Sequence, residues 1–299
     1  MLAILRKNNN LAKLAGIYSG IIFGLYWIIL RKLETQGFSG LWSVMLFNLV
    51  PACLLLPVLL HRRKVFFPGR ARFHLSCLII GLGYVSYAAS FVYTEVVNAI
   101  ALFYLLPIWG FLVARIFIGE KITPIRWFCM GCGLLGIIIL FGKESGLPVP
   151  TNSGDYMALF AGIFWAIGSL LLLTDENDTL SYSIGFIFWA TLLSLVFAYI
   201  ASRSGHLDYP SLDQIDDILI WLLPVAVIVL VPAAIATIYA PTNLNPGTTG
   251  LLFMTEISVA TGTAAWLAGE PFGINQLLGV IFITLAGLSE PVYDLLKKK

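Results

Sequence analysis

Residues 14–30 read Leu-Ala-Gly-Ile-Tyr-Ser-Gly-Ile-Ile-Phe-Gly-Leu-Tyr-Trp-Ile-Ile-Leu, an uncharged run that follows a polar, basic start from Met1 to Lys13. A helix needs about 20 apolar residues to cross a hydrocarbon core about 30 Å thick. The run is long for the apolar region of a secretory signal and has no obvious small-residue cleavage site. It predicts a first helix that crosses a membrane and stays in the protein. Nine similar runs follow, and with the first they give spans 14–32, 39–60, 74–94, 97–117, 124–142, 154–173, 181–201, 217–240, 247–268 and 274–293. All are continuously apolar, whereas a membrane β-barrel would show short alternating segments. Composition agrees. Of 299 residues, 59% are hydrophobic and 11% charged, against about 25% charged in soluble domains, and the mean hydropathy is +0.90. The reading is an all-α, multi-pass integral membrane protein of ten transmembrane helices without a separate soluble domain.

Lys and Arg in short loops set orientation. With the N-terminus in the cytoplasm, the inner side holds Arg6, Lys7, Lys13, Arg62, Arg63, Lys64, Arg70, Arg72, Arg115, Lys121, Arg126, Lys297, Lys298 and Lys299. The outer side holds Arg31, Lys32, Lys143 and Arg203, so the eighteen basic residues divide fourteen to four. Both termini are therefore expected inside, which an even number of helices permits.

The chain also repeats itself. Gly20-Ile21-Ile22-Phe23-Gly24-Leu25 aligns with Gly162-Ile163-Phe164-Trp165-Ala166-Ile167. Leu102-Phe103 and Gly119-Glu120 recur 150 residues later as Leu252-Phe253 and Gly269-Glu270. Each copy has five spans, an odd number, so the second must enter the membrane upside down, with the two Gly-Glu turns on opposite faces. Inverted repeats recur in secondary transporters, with the substrate site near the midplane between them. Duplication that merely builds a stable bundle is the plainer alternative.

These turns, the stretch Phe23-Gly24-Leu25-Tyr26-Trp27, the Leu106-Pro107 step and the run Glu270-Pro271-Phe272-Gly273-Ile274-Asn275-Gln276-Leu277-Leu278-Gly279 resemble the drug/metabolite transporter (DMT) superfamily. The resemblance is to its ten-helix branch with paired EamA repeats, over about residues 11–142 and 154–292. Lys121 stands where the second copy has Pro271, Cys129 where it has Gly279, and Ile257 opposite Pro107, so the copies have diverged. Within the superfamily the chain is most similar to the YddG-type aromatic amino acid exporters. That likeness implies a central cavity walled by helices 1, 3, 4, 6, 8 and 9, with helices 5 and 10 peripheral. It also implies export of aromatic and other neutral amino acids across a bacterial inner membrane.

Candidate substrate contacts are the aromatics Phe23 and Trp27 on the first span, Tyr84 and Tyr87 on the third, Tyr104 and Trp109 on the fourth and Trp165 on the sixth. Tyr84, Tyr87 and Phe91 share one helix face. Rings stack on rings, phenols add hydrogen bonds, and an ammonium can lie over a ring face. Packing and anchoring at the lipid interface explain aromatics equally well. Ser86 is a weaker polar candidate, as are Ser90, Asn48 and Asn98, since each can bond its own helix or a neighbour. Glu256 falls mid-span with no basic residue nearby in sequence. A carboxylate there costs a few kcal/mol unless it faces water or a partner, so Glu256 is a candidate for a substrate ammonium or a coupling proton. Pro107, Pro224 and Pro232 each remove a backbone donor and are candidate gating positions. Gly16, Gly20 and Gly24 form a stripe for close helix packing.

Competing classes fit less well. No HExxH, GxSG with a partner histidine, or P-loop is present, which argues against an intramembrane enzyme. Nothing resembles an ion-selective filter, and a scaffold remains the bland alternative. Cys129 and Cys132 are CxxC-spaced without a second pair, so neither a metal nor a cofactor is expected. The expected partners are a small molecule and the lipid bilayer, with no nucleic acid. Drugs and organic cations are the alternative cargo, whereas phosphate-bearing substrates would need basic residues at mid-span depth. Nothing in the sequence sets the oligomeric state.

Overall fold

The computed structural model describes residues 9–66, 71–145, 149–175, 178–269 and 272–297. Among these there is no strand, and the helices group into ten passes. The first pass is α1 (Asn9–Gly24) and α2 (Tyr26–Thr35), the second α3 (Leu41–His61), followed by the short α4 (Arg63–Phe66). The third is α5 (Ala71–Tyr93), the fourth α6 (Val96–Phe103) and α7 (Leu106–Ile118), and the fifth α8 (Pro124–Ser145). The sixth and seventh are α9 (Ser153–Leu173) and α10 (Thr179–Arg203). The eighth is α11 (Ile215–Val225), a π-helical turn (Ala226–Leu230) and α12 (Val231–Asn243). The ninth is α13 (Pro246–Phe253) and α14 (Thr255–Ala268), and the tenth α15 (Ile274–Lys297). Nine passes are long and apolar enough to cross a bilayer, and the fifth is a shorter apolar helix, Pro124–Leu140. The chain is thus an all-helical, multi-pass membrane protein. Glu270, Pro271, Arg6, Lys7, Arg70, Lys298 and Lys299 lie outside the described residues.

Short polar side chains start several helices. Asn152 accepts from the Asp155 amide, Asp178 from Ser181 and Asn245 from Gly247, each satisfying a donor that the first helical turn leaves free. Burial alone would raise the Asp178 carboxyl, but the Ser181 hydroxyl and amide and the Arg62 guanidinium hold it below the ordinary aspartate value. Gly119 and Gly269 both end their helices in the left-handed region, at φ +68° and +70°, where a side chain would be strained.

Contacts sort the ten passes into two ends. At one end Lys13 pairs with Asp294, Arg62 with Asp178, Arg72 with Asp175 and Arg126 with Glu120. This end therefore gathers the start of α1, the ends of α3, α7, α9 and α15, and the starts of α5, α8 and α10. At the other end Trp42 bonds Ser202, Thr94 bonds Asp155 and Trp221 bonds Gln36. Alternation through the passes puts Gly119 at the first end and Gly269 at the second, so the two glycine turns lie on opposite faces, as their odd spacing predicts.

The halves match in detail. Tyr104 caps α6 and Met254 caps α13, 150 positions apart, and each lies at a break in its pass. The first pass lies on the eighth and ninth, and the sixth lies on the third and fourth. At the Gly16, Gly20 and Gly24 stripe, added Cβ atoms would meet Leu252, the Glu256 amide and the Glu256 carbonyl. The stripe is therefore where the first pass rests on the ninth. The match is imperfect, since the first pass breaks at Leu25 while α9 runs unbroken.

Where α7 crosses α13, Gly110 faces Gly247, and a Cβ on Gly110 would lie 2.5 Å from the Gly247 backbone nitrogen. No rotamer relieves a clash with backbone. Gly110→Ala is therefore expected to cost about 1–3 kcal/mol, read as a lower melting temperature in detergent. Gly131→Ala, whose Cβ meets nothing within 4 Å, should leave it unchanged or raise it.

Candidate functional site

The break in the fourth pass has a covalent cause. Pro107 sits in the first turn of α7 and has no N–H, so the Phe103 carbonyl four residues back has no ladder donor. That oxygen lies against α9, where a Cβ on Gly162 would be 2.8 Å from it. The ninth pass breaks without a proline. There the Ile257 amide bonds Met254 at 3.0 Å, three residues back, and the Phe253 carbonyl takes a hydrogen bond from the Tyr104 hydroxyl at 3.2 Å.

The same hydroxyl lies nearer Glu256 Oε2, at 2.6 Å, so its single proton is shared between the two acceptors, with the carboxylate the closer. Glu256 lies in the first turn of α14, where free backbone amides and the helix dipole favour negative charge. It is only half-buried and takes part in none of the ion pairs among the described residues. The carboxylate is thus held at mid-pass by a phenol and a helix terminus.

Around this pair the rings form two sets, linked where the Tyr104 hydroxyl reaches the Phe253 carbonyl. Tyr87 stacks on Phe103 at 3.9 Å and lies edge-on to Tyr104 at 6.5 Å. Trp165 touches Phe253 at 5.9 Å and Phe186 at 6.1 Å, and Phe186 touches Tyr84 at 5.6 Å. Tyr84 leads on to Phe23 at 6.3 Å. Its hydroxyl bonds that of Tyr26 at 3.0 Å and takes a 3.4 Å bond from Asn48. Tyr26 in turn meets Phe47 at 4.3 Å.

Of the candidate residues, Phe23, Tyr84 and Trp165 fall in one ring set and Tyr87 and Tyr104 in the other, with Glu256 bonded to Tyr104. Pro107 adjoins them through the Tyr104 break. Trp109 on α7 lies beside Gly162. Trp27 does something else, since its ring N–H bonds Thr263 at 3.2 Å and ties α2 to α14. Ser86 is buried on α5, while Ser90 bonds the Tyr87 carbonyl of its own helix. Pro224 and Pro232 flank the π-helical turn of the eighth pass, which packs in one cluster with Phe47 and Tyr26. Phe47, Phe186 and Phe253 are ring contacts that the sequence reading did not select. For Phe253 a signal existed, its place 150 residues after Phe103. Phe47 and Phe186 bring rings from the second and seventh passes into the set that holds Tyr84. The indole nitrogens of Trp109 and Trp165 and the hydroxyls of Ser169 and Thr249 are buried without a hydrogen-bond partner.

Comparison with known proteins agrees with this architecture. Residues 10–142 match the EamA-like transporter family, so the first half carries a domain of that kind. The chain is similar to the uncharacterized transporter YoaV of Bacillus subtilis, 23% identical over 190 residues, covering 60% of this chain and 64% of the relative. It is also similar to a riboflavin transporter of Rhizobium johnstonii, 25% identical over 162 residues, covering 52% of this chain and 51% of the relative. The matched region thus spans between half and two thirds of these relatives. A solved crystal structure shares the fold at a TM-score of 0.72 and 14% identity, over 94% of this chain and 96% of that one.

A double-mutant cycle of Tyr104→Phe and Glu256→Gln, read by thermal unfolding in detergent, tests the central contact. Interhelical hydrogen bonds in membranes contribute on the order of 1 kcal/mol, and a coupling of that size is expected. Additive single effects would mean that phenol and carboxylate do not support each other.

Proposed function

We propose that the protein is a secondary transporter that exports aromatic and other neutral amino acids by alternating access. In this reading residues 11–142 and 154–292 are inverted EamA-like units, and the two ring sets around Glu256 form the substrate site. The single observation that carries it is the half-buried Glu256 carboxylate, bonded to Tyr104 and without a cationic partner among the described residues. A carboxylate kept at mid-pass depth without a counter-ion suits a substrate that brings its own positive charge. The rings beside it offer faces for an aromatic side chain and for the ammonium.

An organic cation would meet the same two features. The unpartnered indole donors of Trp109 and Trp165 favour a substrate that also carries an acceptor, as the carboxylate of an amino acid does. A second reading, a flat aromatic vitamin, is favoured by the riboflavin named for one relative. The fourteen-to-four division of basic residues supports a bacterial inner membrane with both termini in the cytoplasm.

Counterflow in proteoliposomes tests the proposal. Labelled phenylalanine should accumulate against unlabelled aromatic and neutral amino acids, and exchange should saturate. Exchange with riboflavin or tetraphenylphosphonium but with no amino acid would replace the reading with one of the alternatives. Tyr87→Ala, Tyr104→Ala and Trp165→Ala should each lower exchange at least tenfold in protein that still elutes as a folded species. Unchanged rates in all three would move the site elsewhere. Glu256→Gln should slow exchange, and an unaltered dependence on a pH gradient in this variant would exclude the carboxylate as the coupling proton's carrier.

A further inference from the structure

The five ion pairs of the described residues all lie at the end that holds the start of α1. The most buried of them centre on Arg126, whose side chain is 14% exposed. Its Nη1 donates to Glu120 Oε1 at 2.7 Å and its Nε to Glu290 Oε1 at 2.9 Å. The other Glu290 oxygen accepts the Thr248 hydroxyl at 2.9 Å, and the other Glu120 oxygen accepts the Asn245 amide. Asn245 in turn caps α13 through the Gly247 amide at 2.8 Å. The guanidinium also lies 5.3 Å from the centre of the Phe111 ring, the ring packed against Gly247. Four passes thus meet at one guanidinium: the fourth through Glu120, the fifth through Arg126 itself, the ninth through Asn245 and Thr248, and the tenth through Glu290.

The network sits where α7 packs closely on α13, between the Tyr104–Glu256 contact and the end of the bundle. The equivalent pair in the other half of the membrane, α6 and α14, does not pack closely. Nor, among the described residues, does the repeat supply a second network there. At the 150-residue offset Arg126 becomes Gln276 and Glu290 corresponds to Leu140. Gln276 turns back to accept the Gly273 amide of its own turn at 3.0 Å. Among the described residues, one end of the chain is therefore held by this charge cluster and the other shows no counterpart.

We propose that Arg126, with Glu120, Glu290, Asn245 and Thr248, positions α7 against α13 as an ionic latch that shuts the transport pathway at the end bearing the start of α1. The proposal rests on the alternating-access reading above, though not on its substrate. To open this end α13 must leave α7, which strips Glu120 of the Asn245 amide and Glu290 of the Thr248 hydroxyl, the two carboxylates that Arg126 holds in place. Leaving part-buried carboxylate oxygens without their donors is resisted, and more so because the acceptors are charged. The latch assigns gating at this end to a charge cluster and not to Pro224 or Pro232.

The test reads exposure and needs no substrate. Cys53, Cys77, Cys129 and Cys132 are replaced by alanine, and a single reporter is introduced as Thr249→Cys on α13 or Ala260→Cys on α14. Ala260 lies one turn from Glu256 on the same helix face, toward the other end. Protein in lipid nanodiscs, accessible from both faces, is then labelled with a charged maleimide. With the latch intact the Thr249 reporter should react slowly. Arg126→Met should speed it at least tenfold and slow the Ala260 reporter, while Arg126→Lys, which keeps the charge, should stay near the parent rates. A Thr249 reporter unchanged within twofold in folded Arg126→Met, or both reporters speeding together, would overturn the latch. If Arg126→Met fails to fold, Glu120→Gln combined with Asn245→Ala carries the same readout and the same criteria. Failure of amino acid exchange would leave these rates untouched, so the two readings fail separately.

Discussion

A hydrocarbon core offers no partner to a backbone N–H or C=O, and the contact between Tyr104 and Glu256 is arranged around two of the places where the helical ladder is interrupted. In the fourth pass Pro107 removes a donor and the Phe103 carbonyl is left beside Gly162, where a side chain would collide with it. In the ninth pass the Phe253 carbonyl is answered by the Tyr104 hydroxyl. Tyr104 itself sits at the first break. One interruption thus supplies the group that satisfies the other, and the helix terminus it creates stabilises Glu256 beside it. The contact between Tyr104, Phe253 and Glu256 lies at these broken ladders, while the close α7–α13 crossing rests on Gly110 and Gly247.

Duplication accounts for much of this and divergence for the rest. The two breaks and the two glycine turns recur at an offset of 150 residues, although Ile257 stands where the first copy has Pro107. The second copy keeps the bend without its covalent cause because a tertiary hydrogen bond replaces it. Charge did not stay symmetric. The Arg126 cluster ties four passes at one end, while Gln276 at the corresponding place serves only its own turn. An inverted pair of halves would, if identical, favour neither face. Here the ion pairs of the described residues gather at one end, and the halves are not identical.

Hydrophobic length and loop charge determined the helical class, the number of passes and the opposed turns, because continuous apolar runs of about 20 residues have one stable solution in a bilayer. The 3.6-residue period placed Tyr84 and Tyr87 on one face, and mid-span charge singled out Glu256. The break in the first pass at Leu25, the π-helical turn of the eighth, the contribution of Phe47 and Phe186 and the escape of Trp27 to Thr263 were decided by tertiary structure. So was the meeting of Arg126 with Glu290, 164 residues apart in the chain. Periodicity reports which face of a helix is apolar. Which neighbour that face meets, and which distant carboxylate a guanidinium reaches, depend on how ten passes pack against one another, and no local pattern encodes that.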